Sequence, residues 1–528
     1  MVVGCDLLVP SAVLGQELRL HSFERRTLTT EYFSEGASAG DVNRDGILDV
    51  VSGPYWYAGP DHVSKFEIYP AVPQNRQGYA NNFFTWVQDF NGDGWNDVFA
   101  VGFPGTPAHV YENPGRPDSK EPGEASKLRW IKHQVFDWVS NESPHFVQLV
   151  GDPRPELVCT RDGFFGYALV DWNKPWEPWG FHPISEQITD KKFGHGLGVG
   201  DVNRDGLMDV VFPGGWFQQP SGQTPQPRWQ WHKASFSNAY GGAEMHVDDV
   251  DQDGDADIIT SLAAHDFGLS WYEQVPSADG EAAFKHHLIM GKTPEQNRFG
   301  VVFSELHSVQ LVDMDGDGLK DIVTGKTYYS HHEKSPMWDA GAVVYWFRRT
   351  ITDQGVDWVP YRADDQSGIG RQIFIADLNQ DRLPDVVVGG MKGAYALIHR
   401  AQSVDRAAWD AAQPKIFDGY NSQASADTPQ KRSVKTVAAR SPRGPRAPIR
   451  EATGRVERSI EGESLVDRAK AGGGNATKQG MAGFQADRWS GNAQLFWTGG
   501  APGSKLKLPF RTDEPCDRMD IALTCAKD

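Results

Sequence analysis

Apolar residues along this chain gather in short runs of strand length, many of them β-branched, separated by acidic loops that contain glycine. Runs such as LGVGD, SVQLVD and IFIAD lead into a loop, and DVVSG, DIVTG and DVVVGG lead out of it. A run of that length bounded by turn residues reads as a strand, so each loop joins two strands. A third run rich in Trp and Tyr follows, as in GLSWYEQ and AVVYWFRR, and then a fourth, as in RWIKHQVF (129–136) and RWQWHKASF (228–236). The pattern predicts units of four strands.

The loop is one phrase repeated, Asp-x-Asx-x-Asp-Gly-x-x-Asp. It stands at Asp41, Asn43, Asp45 and Asp49; at Asp89, Asn91, Asp93 and Asp97; and at Asp201, Asn203, Asp205 and Asp209. It recurs at Asp249, Asp251, Asp253 and Asp257; at Asp313, Asp315, Asp317 and Asp321; and at Asp377, Asn379, Asp381 and Asp385. The gap between Asp97 and Asp201 is long enough for one more unit, and Gln148 to Val158 keeps the flanking apolar runs there. That stretch lacks the acidic set, and a loop shortened by about three residues accounts for the difference. Seven units of four strands predict an all-β chain, a seven-bladed β-propeller, in which radial packing leaves few open sheet edges. The seventh unit ends its third strand near His399 and has no fourth. LHSFERRTL (20–28) has the fourth-strand pattern and is expected to close the ring.

The blades account for residues 20–400. Residues 401–460 include KRSVKTVAARSPRGPRAPIR, basic and without periodicity, and read as a disordered linker. Residues 461–528 turn aromatic and glycine-rich with strand-like alternation, but too few strands to cover two sheet faces, so a partial, truncated β-sandwich is expected. Residues 1–19 start mildly apolar, without a basic start and with Asp6 interrupting the run. They read either as a signal-peptide remnant or as an irregular N-terminus.

Composition narrows the function. With 52 Lys and Arg against 70 Asp and Glu, the net charge of −18 excludes a general polyanion binder, so nucleic acid is not an expected partner. No apolar run of about 18 residues exists to span a membrane as a helix. The 4 cysteines have no metal-ligand spacing, and of them Cys516 and Cys525 are the pair placed to bond. There is no GxSxG, HExxH, Walker loop or dinucleotide fingerprint.

The acidic phrase offers alternate oxygen ligands on a tight loop, which suits Ca2+ and would stiffen the loop; metal-free Asx turns are the alternative. In the sixth copy Arg382 replaces the turn glycine. The histidines divide in two. His21, His133, His182, His232 and His286 fall at matching places in fourth strands and read as packing residues, as do Trp56, Trp216 and Trp271 at comparable blade positions. Before the acidic loops stand Glu35, Phe83, His145, His195, Ala243, His307 and Arg371, which in a propeller would encircle one end of the central channel. Glu244, His246 and His265 lie close by in blade five, and Arg161, Lys326, His331 and His332 can reach the same rim from loops. Three imidazoles suit Zn2+, and His195, His265 and His307 are the expected ligands. His145 or Lys326 would serve as acid or base, with Glu35 and Arg371 completing the catalytic set. The alternative is a wet channel lined by polar side chains.

The units resemble FG-GAP/VCBS repeats over roughly residues 20–400, on GDVNRDGILDVVSGP, QDFNGDGWNDVFAVG and VDMDGDGLKDIVTG. That resemblance implies an extracytoplasmic, calcium-binding propeller. FGHGLGVGDVN, SELHSVQLVDMD and GPYWY resemble, more closely, the propeller domain of the aldos-2-ulose dehydratase family. This resemblance implies a secreted, metal-assisted lyase acting on an oxidised or anhydro sugar. The family's cupin domains have no counterpart in 401–528, which limits the implied activity to water elimination. The segment GMAGFQADRWSGNAQLFWTGGAPG resembles the start of a carbohydrate-binding β-sandwich. A propeller module that binds glycan or protein without turnover is the second reading, and a purely structural module the third.

Overall fold

The computed structural model describes residues 18–115, 129–189, 192–222, 228–237, 241–277, 282–329 and 331–420, and the strands at 470–472, 475–480, 493–498 and 505–507. Residues up to Gln430 form one compact unit and Lys431–Asp528 a second.

In the first unit, seven four-stranded antiparallel sheets follow one another as the blades of a propeller. Six are built from consecutive strands. The seventh combines Ile373–Ala376, Asp385–Gly390 and Gly393–Ser403 with the N-terminal strand Arg19–Thr29, which pairs Leu20 with Gln402 and Phe23 with His399. The chain ends are thus joined by backbone hydrogen bonds, as the strand pattern predicts, and the third strand runs past His399 to Ser403.

The innermost strands are Ser38–Gly40, Phe84–Gln88, His145–Val147, Gly198–Gly200, His246–Asp248, Val309–Val312 and Ile373–Ala376. They approach one another closely because small residues stand where they meet: a Cβ on Gly198 would lie 1.9 Å from the Met245 carbonyl oxygen. Outside them, aromatic clusters fill the space between blades, as where Phe90, Phe99, Phe146 and Trp179 pack together.

One register governs all seven loops. The last residue of each innermost strand faces a carboxylate: Gly40 with Asp49, Gln88 with Asp97, Val147 with Glu156, Gly200 with Asp209, Asp248 with Asp257, Val312 with Asp321 and Ala376 with Asp385. These carboxylates are buried and act as staples. Asp49 accepts Val42 N at 2.8 Å with one oxygen and Gly59 N at 2.9 Å with the other, tying the loop to the end of the third strand. Glu156 likewise accepts Leu149 N at 2.8 Å and Val150 N at 3.2 Å. The loop of blade three is therefore full length, and the expected shortening is wrong. Gln148 and Val150 occupy the places of Asp41 and Asn43, so ligands are lost by substitution, not deletion.

The linker expectation also fails where the chain can be followed. Residues 401–420 complete a strand, form the helix Arg406–Ala412 capped by the Asp405 side chain on Ala408 N (2.8 Å), and return to the propeller through Phe417 N on Arg298 O (2.9 Å). The remainder of the expected linker, the N-terminal segment 1–17 and Cys5, Cys516 and Cys525 lie outside the described residues. In the second unit, 470–472 pairs with 505–507 and 475–480 with 493–498, both antiparallel; the rest of the expected sandwich is outside the described residues. Among the described residues no helix is long and apolar enough to cross a membrane.

Candidate metal centre

The common register fixes which side chains ring the channel at the end remote from the acidic loops. Five positions before each strand-ending residue stand Glu35, Phe83, Glu142, His195, Ala243, His307 and Arg371, all buried. Blade three thus contributes Glu142, not His145. His145 opens its innermost strand opposite Val158 and places Nε2 2.9 Å from the carbonyl oxygen of Leu197 in the next blade. His246 occupies the same position in blade five, with Nε2 2.6 Å from Val309 O. Both are ties between inner strands. Burial lowers both imidazoles, His246 to about 4, so each is neutral and donates through Nε2.

The rim brings His195, His265 and His307 together. Each offers one ring nitrogen, and the three nitrogens lie within 4.8 Å of one another. A common point therefore sits within about 2.8 Å of all three, against Zn–N bonds of about 2.0–2.1 Å. His195 and His265 meet edge to face at 4.6 Å between ring centres, and His265 and His307 at 4.9 Å. Nε2 of all three is buried and makes no hydrogen bond, although His195 is 8% and His307 2% exposed. A buried polar atom left unpaired is costly, and three neighbouring imidazole nitrogens are a donor set that suits a borderline cation. Burial, reinforced by the other histidines and Arg371, holds His265 down at about 2 and His307 far below the usual imidazole range. Both are neutral, the form that ligates a metal.

Carboxylates surround the cluster. Glu142 Oε2 stands 3.6 Å from His195 Nε2 and 3.1 Å from Arg371 Nε. Burial alone would raise the Glu142 carboxyl, but its contacts with His195 and Arg371 outweigh it and hold it well below the usual range. Arg371 Nη1 is 3.9 Å from Glu35 Oε2, and its guanidinium lies 5.5 Å from the centre of the Tyr79 ring and 5.7 Å from that of Phe83. Burial pushes Glu35 up to about 7 in spite of Arg371, and its other oxygen accepts the Tyr32 hydroxyl. Glu305 Oε2 is 3.5 Å from His307 Nδ1. Glu305, His307 and His331 form a second group whose ligand atoms lie within 4.8 Å, and the His331 ring sits 3.7 Å from that of His265.

Of the expected site residues, the structure unites His195, His265, His307, Glu35 and Arg371. Lys326 does not join them: the charges that act on it are Glu305 and Asp339, and its Nζ is 3.5 Å from Thr327 O. Arg161 instead pairs with Asp137 at 2.8 Å over the Trp138 ring. His331 joins the cluster, and the His332 side chain lies outside the described residues. Glu142 and Glu305 carry no mark in the sequence, Glu142 because the acidic phrase is missing before Glu156, Glu305 because it lies on a connector without a repeat pattern.

The five fourth-strand histidines pack as expected: His133 stacks on Trp176 at 4.4 Å, His182 on Tyr167 at 5.4 Å and His232 on Trp216 at 4.1 Å. His286 and His21 meet Tyr272 and Trp346 at 4.9 and 5.8 Å. Trp56 stacks on Phe66 and Trp271 on His287, so these indoles are occupied within their blades.

At the opposite end, the acidic loops close as Asx turns. Asp41 accepts Asp45 N at 3.1 Å and Gly46 N at 3.0 Å, while Asn43 Nδ2 donates to Asp45 at 3.0 Å. Arg382 reproduces the turn with φ 69°, its N–H on Asp377 at 2.8 Å. In two copies the carboxylates converge within 4.8 Å, as Asp249, Asp251 and Asp257 and as Asp313, Asp315 and Asp321; Arg348 already contacts Asp315 at 2.5 Å and Asp317 at 2.9 Å.

No family profile matches the chain, and no curated protein matches it. Solved structures similar to it include an Agrocybe aegerita lectin that recognises non-reducing terminal N-acetylglucosamine (13% identity, 66% of this chain and 81% of that one, TM-score 0.34). A rhamnogalacturonan lyase aligns at 13% identity over 72% of each chain with a TM-score of 0.32. An auxiliary nutrient-binding protein from Bacteroides ovatus aligns at 9% identity over 60% and 69%, with a TM-score of 0.35.

Proposed function

We propose that this protein is an extracytoplasmic, calcium-stiffened propeller that holds a zinc-like cation at His195, His265 and His307 and eliminates water from an oxidised or anhydro sugar. The observation that supports this most strongly is the convergence of three imidazoles whose buried Nε2 atoms make no hydrogen bond among the described residues. A bound cation would supply Lewis-acid polarisation of the substrate carbonyl. The protein's own groups have separate tasks. Glu305, beside His307 Nδ1, orients that imidazole and raises its basicity, the usual work of a carboxylate behind a ligating histidine. Arg371, held between Glu142 and Glu35, presents a fixed positive charge to sugar oxygens. Glu35, balanced near neutrality, exchanges a proton with the substrate, the property wanted of an acid or base at pH 7. His145 and Lys326 are dropped from the catalytic set, since the first is spent on the Leu197 carbonyl and the second lines another cavity.

For calcium, the best-placed loops are those of Asp249, Asp251 and Asp257 and of Asp313, Asp315 and Asp321. The resemblance to FG-GAP/VCBS repeats and to the dehydratase propeller belongs to the same reading. Recognition of a glycan or protein without turnover is the second reading, favoured by the closed pairing of Arg371 with two carboxylates. The test is to incubate the purified protein with anhydro-ketoses and osones and follow the ultraviolet absorbance of the conjugated enone that water elimination produces. Absorbance that rises with wild type and not with Glu35→Gln supports the lyase; saturable binding without absorbance change contradicts it in favour of recognition alone.

A further inference from the structure

The rim end carries a second feature that the channel cluster does not use. Lys326 begins the connector between the second and third strands of blade six, after Asp321–Gly325 and before Val344–Thr352. It is 1% exposed, the one hydrogen-bond contact of its Nζ among the described residues is the long one to Thr327 O at 3.5 Å, and no carboxylate among them lies within ion-pairing distance of it. Lys326 is one of the residues that line a cavity of about 390 Å³. The rest of that wall is largely apolar, with Val301, Phe303, Met337, Ala342, Val343 and Tyr345, and Met337 is 36% exposed where the cavity meets solvent.

An ammonium group in such surroundings has lost its water and gained no counter-ion. Burial holds the amine below the usual lysine range, with Glu305 and Asp339 opposing only in part. A lysine desolvated in an apolar pocket is an activated amine, with its lone pair available for attack. The charge around the cavity selects among ligands. Glu305 and Asp339 act on Lys326 and Asp365 lines the wall, so an anion would be repelled where an uncharged carbonyl compound would not.

We infer that the Lys326 cavity is a covalent capture site for small uncharged aldehydes, independent of the channel metal centre. In the capture step the Nζ lone pair forms a bond to the aldehyde carbon as the carbonyl π bond breaks. The oxygen takes up the proton lost by nitrogen, giving a carbinolamine. Departure of that hydroxyl with a second nitrogen-bound proton, as water, leaves the imine. The step neither oxidises nor reduces and needs no further reactant.

The probe is propanal with sodium cyanoborohydride at pH 7, which reduces the imine to a stable propyl-lysine, followed by peptide mass mapping of the full chain. Lys326 should be propylated about tenfold or more faster than the exposed Lys65, Lys132 and Lys285, as expected of a desolvated amine. The same rate is expected with and without EDTA, so the outcome is separate from that of the metal reading. Lys326→Met should abolish only that adduct. Ala340→Phe, which narrows the cavity and keeps the lysine, should slow it while the reference lysines react as before. A Lys326 rate no higher than that of Lys132, or a rate unchanged by Ala340→Phe, overturns the proposal.

Discussion

Nε2 of His195 and Oε2 of Glu142 lie 3.6 Å apart across two adjacent blades, and the same carboxylate reaches Arg371 at 3.1 Å. One buried anion therefore lies against a rim histidine and neutralises a buried guanidinium. Glu142→Gln should destabilise the propeller by about 3–5 kcal/mol, because it removes the carboxylate nearest the buried Arg371 guanidinium. Thermal melting measures the effect; a variant that melts like wild type removes Glu142 from this role.

Glu244 provides a pH-dependent test away from the cluster. It is buried, its carboxylate accepts Val309 N at 2.9 Å and Ser308 Oγ at 3.1 Å, and burial pushes it from 4.5 up to about 7. A carboxyl raised in the folded state costs nothing below its unfolded pKa, and its contribution is lost as pH rises through the folded value. The wild type should lose about 3 kcal/mol between pH 4.5 and 7 from this group. Glu244→Gln should flatten that part of the stability curve, as chemical denaturation at stepped pH would show; parallel curves would contradict the assignment.

Arg382 is in the left-handed region at φ 69° in a turn that elsewhere uses glycine, as at Gly46 and Gly206. Arg382→Gly should stabilise by about 0.5–1 kcal/mol by relieving that strain. A lower melting temperature would show that the arginine side chain contributes more than its backbone costs.

Seven units and the closing strand 19–29 were legible because each unit repeats both the acidic phrase and the strand pattern, and Leu20 to Leu28 matches the strand the last unit lacks. His195 and His307 were legible for the same reason, as equivalent positions before equivalent loops. Glu142 was hidden because Gln148 and Val150 erase the acidic phrase in blade three, so that the loop reads as shortened. The pairing of Val147 with Glu156 shows instead that the spacing is kept. Glu305 and His331 lie on connectors with left-handed φ of 64° and 51°, where shape is set by tertiary packing and no period marks it. The helix after Ser403 carries too little apolar periodicity over Arg406–Ala412 to stand out from the basic stretch that follows.

Calcium should bind most tightly where carboxylates converge. A ligand at 100 times its Kd stabilises the folded state by about 2.7 kcal/mol, so calcium should raise the melting temperature and EDTA lower it. Asp251→Asn should remove a calorimetrically detected site in blade five without unfolding the blade, since the structural staple there is Asp257, which accepts Val250 N and Gln274 N at 2.8 Å each. Melting insensitive to both calcium and EDTA would leave the loops as Asx turns alone.

The cation at the rim is the centre of the account, and elemental analysis of the purified protein tests it most directly. Wild type should carry about one zinc-class ion per chain beyond its calcium, since three imidazoles leave one position open for substrate. His195→Ala and His307→Ala should each lose that ion and keep the calcium, because the acidic loops lie at the other end of the inner strands. Calcium alone in the wild-type protein, or a transition-metal content unchanged in both variants, would contradict the metal centre.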